Sequence, residues 1–136
     1  LKALHAALPE VRIYVHPDDT DEKTNMSHGH LVYTDTYREG DTVTVGGLTF
    51  TVLETPGHTR GSVCLCCENA IFSGDTLFAG ACGRTDFAGG STEAMYASLR
   101  RLAQLDGDFS VYPGHGESTT LDAERRYNPY MREAMR

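Results

Sequence analysis

Thr55-Pro56-Gly57-His58-Thr59-Arg60-Gly61-Ser62 follows a run of β-forming residues at 49–54, and two later stretches share its grammar. Ser73-Gly74-Asp75-Thr76-Leu77-Phe78 follows Ala70-Ile71-Phe72, and Tyr112-Pro113-Gly114-His115-Gly116 follows Phe109-Ser110-Val111. In each, glycine or proline forces a sharp exit from an apolar run, and a side chain able to bind a metal comes next. Loops at strand ends can meet in space although distant in sequence, which is how active sites are commonly assembled. By themselves, His58, Asp75 and His115 read either as three separate loop residues or as one centre of two imidazoles and a carboxylate.

The elements around these loops follow from periodicity. Residues 1–8 carry an apolar stripe, Leu1, Leu4 and Leu8, and predict a helix stopped by Pro9. That helix opens without a Ser, Thr, Asp or Asn cap. Val11, Ile13 and Val15 alternate as in a strand. From 16 to 40 the chain is polar, with a short helix or ordered loop expected around Pro17-Asp18-Asp19 and Asp21-Glu22-Lys23. Runs at 42–45 and 48–53 flank Gly46-Gly47, a hairpin signal, and runs at 62–67 and 70–73 flank Glu68-Asn69. Residues 74–90 are glycine-rich and aperiodic, which predicts loop. Ser91 is placed to cap a helix whose Met95, Leu99, Leu102 and Ala103 share a core-facing side, with Gly107 beyond its end. After a short strand at 109–112, Thr119 with Asp122 suggests a capping box for a last helix ending near Pro129.

Composition removes several function classes. The 136 residues carry a formal net charge of −7, with no basic cluster to meet nucleic acid or anionic lipid. No apolar run approaches the roughly 18 to 20 residues that span a bilayer. No secretion signal is evident, and a cytoplasmic location is expected. Cys64, Cys66 and Cys67 lie in an apolar strand-like run and Cys82 in the glycine-rich stretch, without paired CxxC spacing. Strand neighbours point to opposite faces, so these are read as reduced core cysteines and not as ligands. His5 and His16 are read as surface or helix-end residues.

Taken together, the three loops resemble the later motifs of metallo-β-lactamase-fold hydrolases, the glyoxalase II-like branch in particular. Gly83-Arg84-Thr85-Asp86-Phe87 and Glu124-Arg125-Arg126-Tyr127-Asn128-Pro129 strengthen the likeness, which runs over about residues 11 to 130. The resemblance implies an α+β fold, the four-layer αββα sandwich, of which residues 1–136 would be the C-terminal two-thirds in a single domain. It implies two divalent metal ions, zinc foremost with iron or manganese as alternatives. His58 would bind one, His115 the other, and Asp75 would bridge them as the central catalytic residue. Two such ions would supply an activated water or hydroxide and polarise a carbonyl, which the resemblance implies is that of a thioester such as hydroxyacylglutathione. The partner is then a small-molecule substrate, with no nucleic acid and no membrane. Thr59 and Ser62 are candidates for shaping the first loop, and Arg84 and Asp86 for an orienting ion pair or a substrate contact.

One part of the family pattern is not present. The HxHxDH motif that supplies the remaining ligands has no counterpart, since His28-Gly29-His30 continues into Leu31-Val32-Tyr33. His28 and His30 are read as solvated loop residues with a possible role facing substrate. Together with the uncapped first helix, this gap suggests a chain lacking its N-terminal strands. Each metal would then receive one imidazole and a share of Asp75, fewer than the three or four ligands usual for zinc. Weak or partial metal occupancy and no activity are therefore expected of these 136 residues alone. The resemblance also admits a mononuclear iron persulfide dioxygenase, through the 83–87 motif, or an inactive relic of the fold.

Overall fold

Strand-forming runs joined by two-residue turns pair in sequence order, and that local rule accounts for most of the architecture. The computed structural model describes residues 1–20 and 31–136. Its elements are α1 (Lys2–Ala7), β1 (Tyr14–Val15), one 3-10 turn (Pro17–Asp19), β2 (Asp35–Thr36), β3 (Thr42–Val45), β4 (Leu48–Glu54) and β5 (Val63–Cys67). There follow β6 (Ala70–Gly74), β7 (Leu77–Phe78), β8 (Ala81–Cys82), α2 (Thr92–Ala103), β9 (Ser110–Pro113), β10 (Thr119–Thr120), α3 (Leu121–Tyr127) and α4 (Pro129–Ala134).

Six strands form one sheet in the order β10-β9-β6-β5-β4-β3. Hairpins link β3 to β4 at Gly46-Gly47 and β5 to β6 at Glu68-Asn69, as expected. The step from β6 to β9 is different: the two run parallel, and the chain between them crosses over through α2. Alternation sorts the side chains. Ile71 and Val111 are buried at 0% exposure, whereas their neighbours Phe72 and Tyr112 remain 40% and 45% exposed.

Helices α2, α3 and α4 cover the first face. Met95, Leu99 and Leu102 of α2 join Cys64, Ile71, Val111, Leu121 and Met131 in one core, the stripe the helical spacing predicts. Truncating Leu99 to alanine in such a setting costs about 2–5 kcal/mol. Ser91 caps α2 by accepting from the Ala94 amide at 3.1 Å. Arg125 of α3 donates to the carbonyls of Ala103, Leu105 and Gly107, supplying partners that the end of a helix otherwise lacks. On the opposite face, Phe50, Phe72 and Tyr112 form a ladder, with ring centroids 5.8 and 5.4 Å apart. The described residues thus supply one six-stranded sheet with a helical layer on one face, beside the two-stranded pairs β1–β2 and β7–β8.

Several local expectations need correction. The 74–90 stretch holds the small β7–β8 hairpin, because Leu77-Phe78 and Ala81-Cys82 pair across Ala79-Gly80 with Gly80 at φ 74°. Only Tyr14–Val15 of the run at 11–15 is strand, and it pairs in parallel with β2. Thr120, not Thr119, caps α3 by accepting from the Ala123 amide; Thr119 instead donates to Glu124 Oε2 at 2.7 Å. The helix that opens after Thr120 does stop just short of Pro129, at Tyr127, but it is not the last. Pro129 occupies the first turn of α4, where a missing N–H costs nothing, under the Asn128 cap. His16 is a helix-end residue, its Nδ1 capping the 3-10 turn by accepting from the Asp18 amide, but it is not at the surface: it is 3% exposed, and its Nε2 lies 2.8 Å from Glu54 Oε2. His28, His30 and Asp21-Glu22-Lys23 lie outside the described residues. No helix among the described residues is long and apolar enough to cross a membrane.

Candidate metal centre

Strand direction explains why the three loops converge. β4 is antiparallel to β5, β5 is antiparallel to β6, and β6 is parallel to β9. The C-terminal ends of β4, β6 and β9 therefore open on the same edge of the sheet, and these are the ends that lead to His58, Asp75 and His115. A register shift between Phe72 and Gly74 adds an unpaired residue just before Asp75. Such bulges re-aim the side chains that follow them.

Asp75 is the centre of the group. Its Oδ2 lies 3.3 Å from His58 Nε2, and its Oδ1 lies 2.8 Å from His115 Nδ1. The side chains differ in environment: His58 is 12% exposed, Asp75 32% and His115 75%. Gly114 makes the approach of β9 possible, since a Cβ there would sit 2.7 Å from Asp75 Oδ1. Its amide donates to the Gly74 carbonyl at 2.7 Å, locking the two exits together.

The bonding of His58 tests whether a cation suits this place. Its Nδ1 lies 2.8 Å from the Arg84 carbonyl oxygen, which can only accept, so Nδ1 carries the proton. In the neutral ring, the Nε2 lone pair then faces a carboxylate oxygen at 3.3 Å. Two acceptors aimed at one another are reconciled by something positive between them, a proton or a metal ion. Ligands about 2.0–2.1 Å from a tetrahedral metal stand roughly 3.3–3.4 Å apart. The His58–Asp75 side therefore fits a cation. The His115 side shows a direct hydrogen bond at 2.8 Å, shorter than that edge. Among the described residues, no group of three or more His, Cys, Asp or Glu side chains is arranged to hold one metal ion.

The remaining candidates sit around this trio without joining it. Arg84 and Asp86 bind one another through two hydrogen bonds of 2.9 and 2.8 Å, and the guanidinium holds the Asp86 carboxyl below its ordinary range. Thr59 and Ser62 shape the first loop: the Thr59 amide donates to Ser62 Oγ at 3.1 Å. Asp19, which sequence reasoning did not single out, anchors that loop from 40 residues away. Its carboxylate accepts from the Thr59 hydroxyl at 2.9 Å and from the Gly61 amide at 3.0 Å. Burial and the Asp19 charge together push the Tyr37 phenol up. Nothing local in the sequence marks Asp19, since its partners are set by tertiary folding. All four cysteines are free, and burial pushes the Cys64 thiol up to about 12, so it offers no thiolate near neutral pH.

A family model for the metallo-beta-lactamase superfamily matches residues 2–115. The chain belongs to the metallo-beta-lactamase superfamily. It is 48% identical over 98 residues to an uncharacterized protein of Mycobacterium leprae, covering 69% of this chain and 45% of that protein. It is 38% identical over 97 residues to the hydroxyacylglutathione hydrolase GloC of Haemophilus influenzae, covering 69% and 46%. The chain thus spans about half the length of these curated relatives. Among solved structures, ETHE1 from Myxococcus xanthus superimposes with a TM-score of 0.80 at 31% identity, covering 98% of this chain and 59% of that one. TTHA1623 in a di-iron-bound form gives a TM-score of 0.79 at 34% identity, covering 95% and 69%. The superfamily fold implies a divalent metal centre and hydrolase-like chemistry, and leaves the identity of the metal open.

Proposed function

We propose that His58, Asp75 and His115 are metal ligands in a hydrolase of thioesters of the hydroxyacylglutathione kind. The observation that carries this reading is the Asp75 carboxylate, which presents one oxygen to each imidazole at 3.3 and 2.8 Å. The likeness to a named hydroxyacylglutathione hydrolase supports the substrate class. When bound, a pair of divalent cations would polarise a carbonyl and activate water near neutral pH.

The residues of this chain have separable tasks. Asp75, shared between the two sides, would offset repulsion between two cations. His58, with Nδ1 committed to the Arg84 carbonyl, keeps Nε2 free to donate its lone pair. His115 stands at the open rim, where Phe78 packs edge-on against its ring at 5.8 Å. Between Phe78, Phe87 and the trio lies a cavity of about 340 Å³, a size suited to a small molecule and not to a nucleic acid.

The test is hydrolysis of S-lactoylglutathione by a metal-loaded protein that carries these residues within the full length of its relatives, since the 136 residues alone are expected to be inactive. Activity should require bound metal, and Asp75→Asn should remove both. Two tightly bound ions without thioester hydrolysis would overturn the substrate class. A second reading, a mononuclear iron persulfide dioxygenase, draws on Gly83-Arg84-Thr85-Asp86-Phe87 and on the likeness to ETHE1. One iron per chain with oxygen uptake would favour it.

A further inference from the structure

His58 is enclosed from two directions. Behind it, the Gly57 carbonyl accepts from the Ser91 amide at 2.9 Å, and a Cβ on Gly57 would lie 2.6 Å from the Met95 Cα. In front, residues 83–87 fold over the ring. The Gly83 amide donates to the Thr76 carbonyl at 3.2 Å, and a Cβ on Gly83 would fall 1.8 Å from the Asp75 carbonyl oxygen. Only glycine lets the segment pass there. The next residue places its carbonyl 2.8 Å from His58 Nδ1. The Arg84 guanidinium is forked onto Asp86 and lies 4.3 Å from the Phe87 ring centroid. Phe87 in turn meets the imidazole edge-on, at 5.8 Å and 86°.

We infer that residues 83–87 form a clamp that fixes both the tautomer and the ring plane of His58. Arg84 acts through its backbone carbonyl, while its side chain, Asp86 and Phe87 brace that carbonyl and wall the ring. They are positioning residues. The ion pair is thereby assigned a task other than gripping substrate. Among the described residues, His115 has no backbone carbonyl bonded to its ring, and its side chain is 75% exposed. The two imidazoles are therefore held unequally: His58 is fixed by a backbone carbonyl, whereas His115 is held by the Asp75 carboxylate and the edge of Phe78. The use made of the freed Nε2 rests on the reading of His58 as a metal ligand, whereas the clamp itself does not.

The test is ¹⁵N NMR of the histidine rings in the metal-free chain, at a pH where they are neutral. His58 should show the Nδ1–H tautomer. Asp86→Asn and Phe87→Leu, which change mostly exposed or loop positions, should shift it toward a mixture of tautomers. The buried His16 should not respond. A parallel Zn²⁺ titration should show about tenfold weaker binding in Asp86→Asn, the scale on which partners of metal-bound histidines act. An Nε2–H tautomer in the unaltered chain overturns the clamp, as do unchanged His58 signals in both folded variants. If the tautomer responds but Zn²⁺ never perturbs His58, the metal reading fails and the clamp stands. If Zn²⁺ binds at His58 while the tautomer is indifferent to both substitutions, the clamp fails alone.

Discussion

Replacing Gly114 with alanine should damage the centre far more than the fold. Its backbone conformation is one that any L-residue adopts, so the effect is steric. The added Cβ would lie 2.7 Å from Asp75 Oδ1 and 3.0 Å from the Gly74 carbonyl oxygen, where ordinary contact begins at 3.4 Å. The carboxylate must withdraw by about 0.7 Å, and the two strand exits must part by a few tenths of an ångström. The nearest atom ends a side chain that can turn, so the stability cost should stay near the low end of overpacking, about 1 kcal/mol. A site must be held within about 0.5 Å of its productive geometry, however. Zn²⁺ affinity should fall by about tenfold or more, since misplacement of about 1 Å at a reacting centre can cost a hundredfold. Urea unfolding without metal gives the first quantity and calorimetric Zn²⁺ titration the second. Unchanged affinity combined with a stability loss above about 3 kcal/mol would refute the reasoning, because the glycine would then serve the sheet and not the site.

Glu124 is 5% exposed and accepts from the Gly80 amide, the Thr119 hydroxyl and Asn128 Nδ2. Glu124→Ala orphans these donors and should cost about 3 kcal/mol in urea unfolding; a loss under about 1 kcal/mol would mean that water replaces the carboxylate freely. Asp19→Ala should cost about 1–2 kcal/mol and speed hydrogen exchange at the Gly61 amide, which loses its acceptor. Acid should unfold the chain partly through Glu39 and Glu54. Both carboxyls lie below their ordinary 4.5, Glu39 chiefly through its bond to Arg101 and Glu54 chiefly through the Glu39 amide. A depressed folded value adds stability above pH 4.5 that drains away as the pH falls through the lower folded values. Glu39→Gln should flatten that acid limb in urea midpoints measured against pH, and an unaltered limb would count against the assignment.

The residues that converge were legible because each follows an apolar run and a glycine or proline, a local signal. Their convergence was legible only through the family resemblance, because it depends on β4, β6 and β9 sharing a direction, a property of the whole sheet. The α2 stripe was readable for the same local reason: Met95, Leu99 and Leu102 repeat at helical spacing. Pro129 was half legible: α3 does stop before it, but proline also starts a helix, and Asn128 begins α4 by capping from Oδ1. The β7–β8 hairpin escaped because strands of two residues show no period. Asp19 and His16 act through partners about 40 residues away, Gly61 and Glu54, and no window of sequence contains both ends.

The ladder of Phe50, Phe72 and Tyr112 has a consequence for how the molecule behaves in solution. Apolar surface left in water forgoes about 25 cal/mol for each Å². An aromatic strip on a sheet should accordingly take up dyes such as ANS and make the chain self-adhesive at high concentration. Phe72 stands three residues before Asp75 and Tyr112 three before His115, so whatever shields these rings also stiffens the strands from which the turns carrying Asp75 and His115 emerge.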